Sequence, residues 1–382
     1  MKIGLLGHGI VGKGVREIID AGATWEVREL SVKKILVKFD WELVDPRCTQ
    51  DAKDILDDPE IDVVVECMGG IEPARTFCLE ALAKGKHVVT SNKKMLANSC
   101  GELFACALAH DVAVHYEAAC GGGIPWMASL DRTRRVDDID GFRGIFNGTT
   151  NYILSEMASG GKSFAEMLKE AQSLGYAEKD PSDDIDGFDV KYKVALSCVK
   201  AFDVIPNIDG ILTYGIRNID QVDLAFCEKN GYACKLIGKA KRDGARVSAM
   251  VMPAFLRKED VFSNIPLNFN CIESVSKTLG AATFVGQGAG SLPTAHAVVQ
   301  NIVDIWKKQD PEINPKDNVI VDNSTYCGVF YIRSANIDKA ASYVDKEAGE
   351  CAVVTKRMTI NELSEIVKDL NDSGMFVAEV AK

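Results

Sequence analysis

The chain lacks long apolar runs, since none approaches the roughly 18 to 20 residues that a membrane-spanning helix needs. Its start, MKIGLLGHGIVGKGV, lacks a basic leader with a long apolar core, because glycines interrupt it. Basic residues are outnumbered, with 44 Lys and Arg against 55 Asp and Glu, and they form no stripe suited to phosphate backbones. These absences predict no membrane span, no secretory signal and no nucleic-acid partner.

Paired cysteines are also absent. The twelve cysteines are scattered, without a Cys-x-x-Cys pair and without a histidine at zinc-ligand spacing. We therefore expect neither a disulfide framework nor a zinc site, but reduced core cysteines in a cytoplasmic protein. The remaining composition, 47% hydrophobic and 26% charged over 382 residues, is ordinary for a globular enzyme of two or three domains.

The first apolar run, Lys2–Leu6, leads into a glycine-rich turn and then into the helical spacing of Val15, Ile18 and Ile19. The turn consists of Gly7, His8, Gly9, Ile10, Val11 and Gly12. Its first glycine permits a tight turn, its second admits a pyrophosphate, and its third lets the helix pack on the strand. The anion then meets the helix N-terminus. This order predicts a dinucleotide-binding turn, in which His8 is a neutral loop residue rather than a catalyst.

Strand and helix patterns alternate along the first third of the chain. Apolar runs occur at 34–37, 61–66, 87–91 and 112–115, and helical segments occur at 73–84 and 99–110. The alternation predicts a parallel, doubly wound sheet, whose ligands lie outside the carboxyl ends of its strands. Two loops should therefore face the cofactor. They contain Met68, Gly69, Ser91, Asn92 and Lys93.

A second region begins near residue 126, where a strand at 141–146 is followed by helices at 149–157 and 191–201. A glycine-rich turn that includes Gly288 precedes an apolar helix at 295–307. The charged, proline-containing segment 309–318 is the best linker candidate. Beyond it, strand and helix patterns alternate as an α+β module at 328–333, 337–344, 352–354, 360–370 and 375–380.

The segment 170–193, EAQSLGYAEKDPSDDIDGFDVKYK, ends with Asp189 and Lys193 four residues apart, so a helix would place a carboxylate beside an ammonium. The segment resembles the signature of homoserine dehydrogenases. The matching residues are Gly175, Tyr176, Glu178, Asp180, Pro181, Asp184, Gly187, Asp189 and Lys193. Further motifs of that family occur in the family's order at 7–12, 91–93, 117–125, 144–154 and 286–295.

This resemblance covers residues 2 to about 307 and implies an α/β fold. It implies a Rossmann-type doubly wound parallel sheet, an α+β catalytic and dimerisation domain, and a short ACT-like C-terminal module. The corresponding ranges are 1–126 with about 286–308 for the dinucleotide, 127–285 for catalysis and dimerisation, and 318–382 for a truncated or diverged ACT-like module. A packing or dimerisation role for that tail is the alternative to effector binding. A homodimer is implied by the resemblance alone.

The resemblance also implies an enzyme that interconverts L-homoserine and L-aspartate 4-semialdehyde with NAD(P), in the threonine and methionine branch of amino-acid biosynthesis. Lys193 and Lys93 match the two catalytic lysines that bracket the reacting hydroxyl, and we expect Asp189 to orient Lys193. Burial or a second ammonium favours the neutral amine that a base requires, whereas Asp189 favours the ammonium. The sequence leaves this balance open.

Homoserine carries an ammonium and a carboxylate, so its site must offer both signs of charge. Glu178 and Asp184 match family residues near the substrate amino group, and a fixed carboxylate is the natural acceptor for an ammonium. The substrate carboxylate is expected at the Asn-Gly-Thr-Thr-Asn turn, where Gly148 and Thr149 open a predicted helix.

A glycine-rich loop at 117–125 resembles a family loop that holds a monovalent cation, Na⁺ or K⁺. The corresponding ligands are Glu117 and the carbonyls of Cys120, Gly122 and Ile124. The alternative is that these glycines simply let the backbone approach the nicotinamide, and both interpretations stand. Cofactor preference is equally open, because Asp40 suits the ribose hydroxyls of NAD whereas Lys38 suits the phosphate of NADP.

Two other functions compete with this hypothesis. Trp126 and Met127 stand where small aliphatic residues are common in the family, which suggests a related dehydrogenase acting on another small hydroxy or amino acid. A non-catalytic nucleotide or amino-acid sensor is the alternative from another functional class. The complete set of lysines and carboxylates favours an enzyme.

Overall fold

A computed structural model describes residues 1–309 and 316–381, with the backbone alone at 316–319. Its strands are β1 (Lys2–Leu6), β2 (Ser31–Leu36), β3 (Cys48–Thr49), β4 (Val63–Glu66), β5 (His87–Thr90), β6 (Val114–His115), β7 (Ile139–Ile145), β8 (Val204–Pro206), β9 (Leu212–Thr213), β10 (Tyr232–Asp243), β11 (Arg246–Arg257), β12 (Phe269–Ser276), β13 (Gly280–Gln287), β14 (Lys316–Val319), β15 (Cys327–Gly328), β16 (Phe330–Arg333), β17 (Val344–Gly349), β18 (Ala352–Thr355), β19 (Met358–Thr359) and β20 (Phe376–Val380).

The α-helices are α1 (Ile10–Ala21), α2 (Trp25–Arg28), α3 (Lys53–Leu56), α4 (Ala74–Ala83), α5 (Lys93–Ala109), α6 (Trp126–Arg134), α7 (Gly148–Gly160), α8 (Phe164–Ser173), α9 (Ser182–Ile185), α10 (Phe188–Phe202), α11 (Gln221–Lys229), α12 (Ser291–Trp306) and α13 (Ile360–Leu370). Within the described residues, none of these helices is long and apolar enough to cross a membrane.

One compact unit contains residues 1–136, 196–205 and 286–317. Its sheet has the strand order β3-β2-β1-β4-β5-β6, and every pairing is parallel. The predicted Rossmann-type doubly wound sheet is therefore confirmed. Its core is made of branched side chains, since Ile3, Leu5, Val63, Val65 and Val89 are fully buried between the helical layers.

Helix α5 begins at Lys93 rather than at the predicted residue 99. The Asn92 side chain accepts the Met95 N–H (3.1 Å) and so caps the helix at this earlier position. The predicted start followed apolar spacing and gave too little weight to the cap. Lys93 is thereby fixed as the first residue of a helix at the carboxyl edge of the sheet.

The second compact unit contains residues 137–195, 206–285 and 318–382. In the described part of the chain, its main sheet has ten strands, in the order β13-β12-β7-β10-β11-β20-β16-β18-β17, with β9 beside β11. The long strands β10 to β13 were not among the predicted elements. One reason is that β11 is buried over ten consecutive residues, so it shows no alternation of apolar and polar positions.

The C-terminal segment belongs to this second unit because β20 pairs in parallel with β11, Ala254 opposite Glu379. Two predictions for the segment were incomplete. Ile337–Tyr343, predicted as a helix, forms a 3₁₀ helix, and β17 was missed because its sequence, VDKEAG, is polar and largely exposed. Of the predicted linker, residues 310–315 lie outside the described residues.

Within the described residues, no disulfide bond joins any of the twelve cysteines. The expectation that they are core residues is correct for seven of them, whereas Cys351 is exposed and four others are half-buried. Thus most of them act as small apolar side chains.

Candidate active site

The glycine turn after β1 has the geometry that its spacing predicts. Gly7 has a φ of +105°, and a Cβ at Gly12 would lie 2.2 Å from the Gly7 carbonyl oxygen. A Cβ at Gly9 would meet no atom of the described residues within 4 Å, so the turn is open on this side. Because Ile10 and Val11 open α1, their backbone N–H groups suit a pyrophosphate here.

His8 is buried within this turn, and its Nε2 has no hydrogen-bond partner among the described residues. Burial lowers its pKa, and the positive charges of Arg16 and Lys13 act in the same direction. His8 is therefore neutral at physiological pH, as the sequence predicts for a loop residue.

Glu66, at the end of β4, links the two loops that were predicted to face the cofactor. Its fully buried carboxylate accepts the Met68 N–H (2.8 Å), the Thr90 hydroxyl (2.6 Å) and the Asn92 amide (3.4 Å). Asn92 in turn donates to the carbonyl of Gly70 (2.6 Å). Burial raises the pKa of Glu66, and the same hydrogen bonds oppose this. The sequence signal for this residue is a lone carboxylate at the end of an apolar strand.

The candidate cofactor-selecting residues, Lys38 and Asp40, are both exposed just after β2. The Glu42 carboxylate accepts the N–H groups of Lys38 (3.1 Å) and Phe39 (3.0 Å), which fixes the turn that carries them. Phe39 also stacks on the exposed Trp41, with 5.4 Å between ring centroids. Both selecting side chains thus remain accessible to a ligand.

Glu117 has a partner that the sequence did not reveal. Its two carboxylate oxygens accept the N–H groups of Met127 (2.8 Å) and Ala128 (2.7 Å), in the first turn of α6. Burial raises the pKa of Glu117 to about 7. The carboxylate therefore holds the glycine loop to the N-terminus of α6.

The rest of this loop packs closely on another backbone segment. A Cβ at Gly122 would lie 2.5 Å from the carbonyl carbon of Gly288, and the Gly123 N–H donates to Gln287 (3.2 Å). Trp126, which follows the loop, is completely buried and donates its indole N–H to Ser197 (2.9 Å). Gly122 therefore cannot carry a side chain unless the backbone of Gly288 moves.

In the second unit, Lys193 and Asp189 form the ion pair expected from their spacing on α10. The lysine Nζ donates to Asp189 Oδ2 (2.8 Å) and to the carbonyl of Phe146 (2.6 Å). Both side chains are buried, with 9% and 5% of their surface exposed. The ammonium is thus held from two directions.

Asp184 and the turn before α7 complete this cluster. Asn147 donates to Asp184 Oδ1 (2.7 Å) and Asp189 Oδ2 (2.9 Å), while Thr149 donates its hydroxyl to the carbonyl of Tyr176 (2.5 Å). Gly148 has no room for a side chain, because a Cβ would lie 2.6 Å from the Asn268 carbonyl oxygen. Glu178 is exposed, and its own carbonyl accepts the side chain of Gln172 (2.9 Å).

Comparisons with known proteins identify the family of this chain. Family models described as homoserine dehydrogenase and as homoserine dehydrogenase, NAD binding domain match residues 125–303 and 7–117. A homoserine dehydrogenase from Bacillus subtilis is 33% identical over 97% of this chain and 95% of its own length. One from Synechocystis is 39% identical over 80% of this chain and 73% of its own length.

Solved structures give the same result. The structure of a homoserine dehydrogenase from Thiobacillus denitrificans has a TM-score of 0.90 at 30% identity, covering 100% of this chain and 98% of that one. The Staphylococcus aureus homoserine dehydrogenase has a TM-score of 0.78 at 28% identity, covering 100% and 98%. The chain therefore belongs to the homoserine dehydrogenase family of NAD(P)-dependent oxidoreductases.

Proposed function

We propose that this enzyme interconverts L-homoserine and L-aspartate 4-semialdehyde, with Lys193 as the residue that moves the hydroxyl proton. The observation that carries this proposal is the buried Nζ of Lys193, held by Asp189 and the Phe146 carbonyl. Alcohol oxidation sends a hydride to the nicotinamide and a proton to a positioned base. In the reverse direction, the Lys193 ammonium would donate that proton to the developing alkoxide.

Recognition of the substrate would use both signs of charge around this cluster. Asp184 and Glu178 would accept hydrogen bonds from the substrate ammonium. The substrate carboxylate would meet the backbone N–H groups of Gly148 and Thr149, because the first turn of α7 has no intrahelical partners for them. The Thr149 hydroxyl already donates to the carbonyl of Tyr176. The backbone N–H of Thr149 is therefore the favoured donor to the substrate carboxylate.

The NAD(P) cofactor would lie against the glycine turn of the first unit. Gly7, Gly9 and Gly12 would admit its pyrophosphate to the N-terminus of α1, where Ile10 and Val11 stand. The loops containing Met68, Gly69, Ser91 and Asn92, together with Gly288, would complete its contacts. Lys93, whose backbone is set by the Asn92 cap, would be the second catalytic lysine.

A monovalent cation, Na⁺ or K⁺, is proposed at the 117–125 loop. The described residues contain no group of three or more His, Cys, Asp or Glu side chains that could hold a metal. Backbone carbonyls at Cys120, Gly122 and Ile124 would therefore provide most of the ligands. The Glu117 carboxylate would mainly maintain the loop, given its bonds to α6.

The larger assembly is proposed on separate grounds. An apolar recess of about 290 Å³ on the main sheet of the second unit, lined by residues such as Phe142, Met250 and Val275, favours a homodimer contact there. In the tail, the strands that join the main sheet and the helices between them occur in the order β16, 3₁₀ helix, β17, β18, α13 and β20, while β15 and β19 form a separate pair. This split pattern favours the ACT-like module. Cysteines without a disulfide bond among the described residues suit a cytoplasmic enzyme, and the reaction suits threonine and methionine biosynthesis.

The experiment that tests this function follows nicotinamide absorbance at alkaline pH with L-homoserine, using NAD and NADP separately. We expect turnover, with Lys38→Ala weakening NADP use and Asp40→Ala weakening NAD use, each measured as kcat/KM. Folded protein that binds nucleotide but turns over homoserine with neither cofactor would contradict the proposal. Sedimentation at working concentration tests the homodimer.

A further inference from the structure

Asn147 occupies an unusual position among the charged groups of the second unit. Its side chain is buried, and its two amide N–H groups go to two different carboxylates, Asp184 Oδ1 (2.7 Å) and Asp189 Oδ2 (2.9 Å). Its side-chain oxygen accepts the N–H (2.8 Å) and the hydroxyl (3.0 Å) of Thr150. Every polar atom of this amide is therefore used.

The hydrogen-bond partners fix the orientation of the amide. An ionised carboxylate only accepts hydrogen bonds, and a backbone N–H only donates. A flipped amide would place its oxygen against Asp184 and Asp189 and its NH₂ group against the Thr150 N–H. Asn147 is thus a neutral double donor between two carboxylates, and it lowers the energy of keeping both ionised where Asp189 is buried and Asp184 is half-buried.

Asn147 also reaches Lys193 by two routes. The oxygen of Asp189 that accepts from Asn147 is the same Oδ2 that accepts from the lysine Nζ. The carbonyl immediately before Asn147, that of Phe146, accepts from the same Nζ (2.6 Å). Movement of the 146–147 peptide would therefore displace the ammonium directly and through Asp189.

We propose that Asn147 is a positioning residue for the reaction, which assigns one carboxylate to Lys193 and the other to the substrate ammonium. The amide holds Asp189 toward the lysine, and it holds Asp184 in a separate place where a second ammonium can bind. This inference deepens the proposed function and rests on the role given there to Lys193.

Two substitutions separate this role from helix capping, since Asn147 also caps α7. Asn147→Asp keeps the shape and the cap acceptor, but it removes both donors and adds a charge beside Asp184 and Asp189. Asn147→Ser keeps a capping oxygen and removes the bridge without adding charge. Asn207→Asp is the matched control, because exposed Asn207 caps a 3₁₀ turn by accepting the Asp209 N–H (3.1 Å).

For Asn147→Asp we expect kcat for homoserine oxidation to fall by roughly 10- to 100-fold, because a small displacement of reacting groups has effects of this size. KM for homoserine should rise, whereas the affinity for NADPH should stay within about twofold. The pH of half-maximal rate should move upward, because an added negative charge in this cluster favours proton binding. Asn147→Ser should reduce kcat without this pH shift.

The outcomes distinguish the two proposals. Suppose that the wild type oxidises homoserine and that Lys193→Met does not, so the proposed function holds. The positioning role is then overturned if Asn147→Asp has the same rate and pH profile as the control Asn207→Asp. If Lys193→Met retains the wild-type rate, the catalytic assignment fails, and the inference fails with it. If Asn147→Asp does not fold, as judged by circular dichroism, Asn147→Ser provides the same comparison of kcat and KM.

Discussion

Lys239 and Glu379 form an ion pair that joins the C-terminal segment to the main sheet of the second unit. Lys239 lies on β10 and Glu379 on β20, on either side of β11, and both side chains are 16% exposed. The hydroxyl of Tyr326 donates to the same carboxylate and accepts from Lys239 (2.5 Å). Burial lowers the pKa of Lys239, and the charge of Glu379 opposes this.

Lys239→Met should destabilise the protein by about 3 to 5 kcal/mol, because it leaves a largely buried carboxylate whose remaining partner among the described residues is the Tyr326 hydroxyl. The double variant Lys239→Met with Glu379→Leu should recover most of this loss, since neither charge then remains. Urea unfolding of the single and double variants measures both effects. A single variant as stable as the wild type would show that water already solvates the pair.

Gly238, the residue before Lys239, packs against the helix that carries Asp189 and Lys193. A Cβ at this position would lie 2.5 Å from Val190 Cγ1 and 2.7 Å from Val194 Cγ2. Gly238→Ala should therefore displace α10, destabilise the fold by about 1 to 3 kcal/mol and lower kcat.

The control for this prediction is Gly101→Ala, in the interior of α5, where the nearest atom would be Ile205 Cδ1 at 3.5 Å. It should raise stability by about 0.5 to 1 kcal/mol, because alanine restricts the unfolded chain and fits the helix. Equal thermal stability and equal kcat for both variants would contradict the packing argument.

Lys193→Met should lower kcat by roughly 10²- to 10⁴-fold, the range for removal of a positioned acid–base group. Nucleotide affinity should remain, because Lys193 lies in the second unit and the glycine turn lies in the first. Fluorescence titration with NADPH and stopped-flow hydride transfer measure the two properties separately. A variant with near-wild-type hydride transfer would refute the assignment.

Glu117 should make stability depend on pH. Burial raises its pKa from 4.5 to about 7, so the folded state favours the protonated acid more than the unfolded state does. The contribution of Glu117 to the free energy of unfolding is therefore most favourable below pH 4.5 and is lost as pH rises through 7. Between pH 5 and 8, this loss amounts to about 2 to 3 kcal/mol, since each tenfold difference in proton affinity between the two states corresponds to about 1.4 kcal/mol.

Glu117→Gln lacks this titration and tests the prediction. It should be less stable than the wild type at pH 5, because an amide cannot accept both N–H groups of α6. The difference in stability between this variant and the wild type should become smaller as pH rises to 8. Guanidinium unfolding at both pH values measures the difference, and parallel pH dependences for the two proteins would show that Glu117 does not titrate in this range.

Local features were predictable from the sequence. The glycine turn at 7–12 lies between a strand and a helix, and its close contact joins residues only five apart, Gly7 and Gly12. Asp189 and Lys193 are one helical turn apart, so the period of the helix brings them together. The parallel sheet followed from the alternation of apolar runs and helices, and the family from the order of its motifs.

Contacts between residues that are far apart in the sequence depended on the tertiary structure. Asn147 meets Asp184 and Asp189 across 37 and 42 residues, and Lys239 meets Glu379 across 140. Such pairs depend on strand order and register, which one sequence does not reveal, because a shift of one residue reverses the face of every side chain on a strand. The sequence thus determined which groups are the candidates for the chemistry. Only the tertiary structure decided that one asparagine contacts both carboxylates, because that arrangement requires residue 147 to meet the distant segment 184–193.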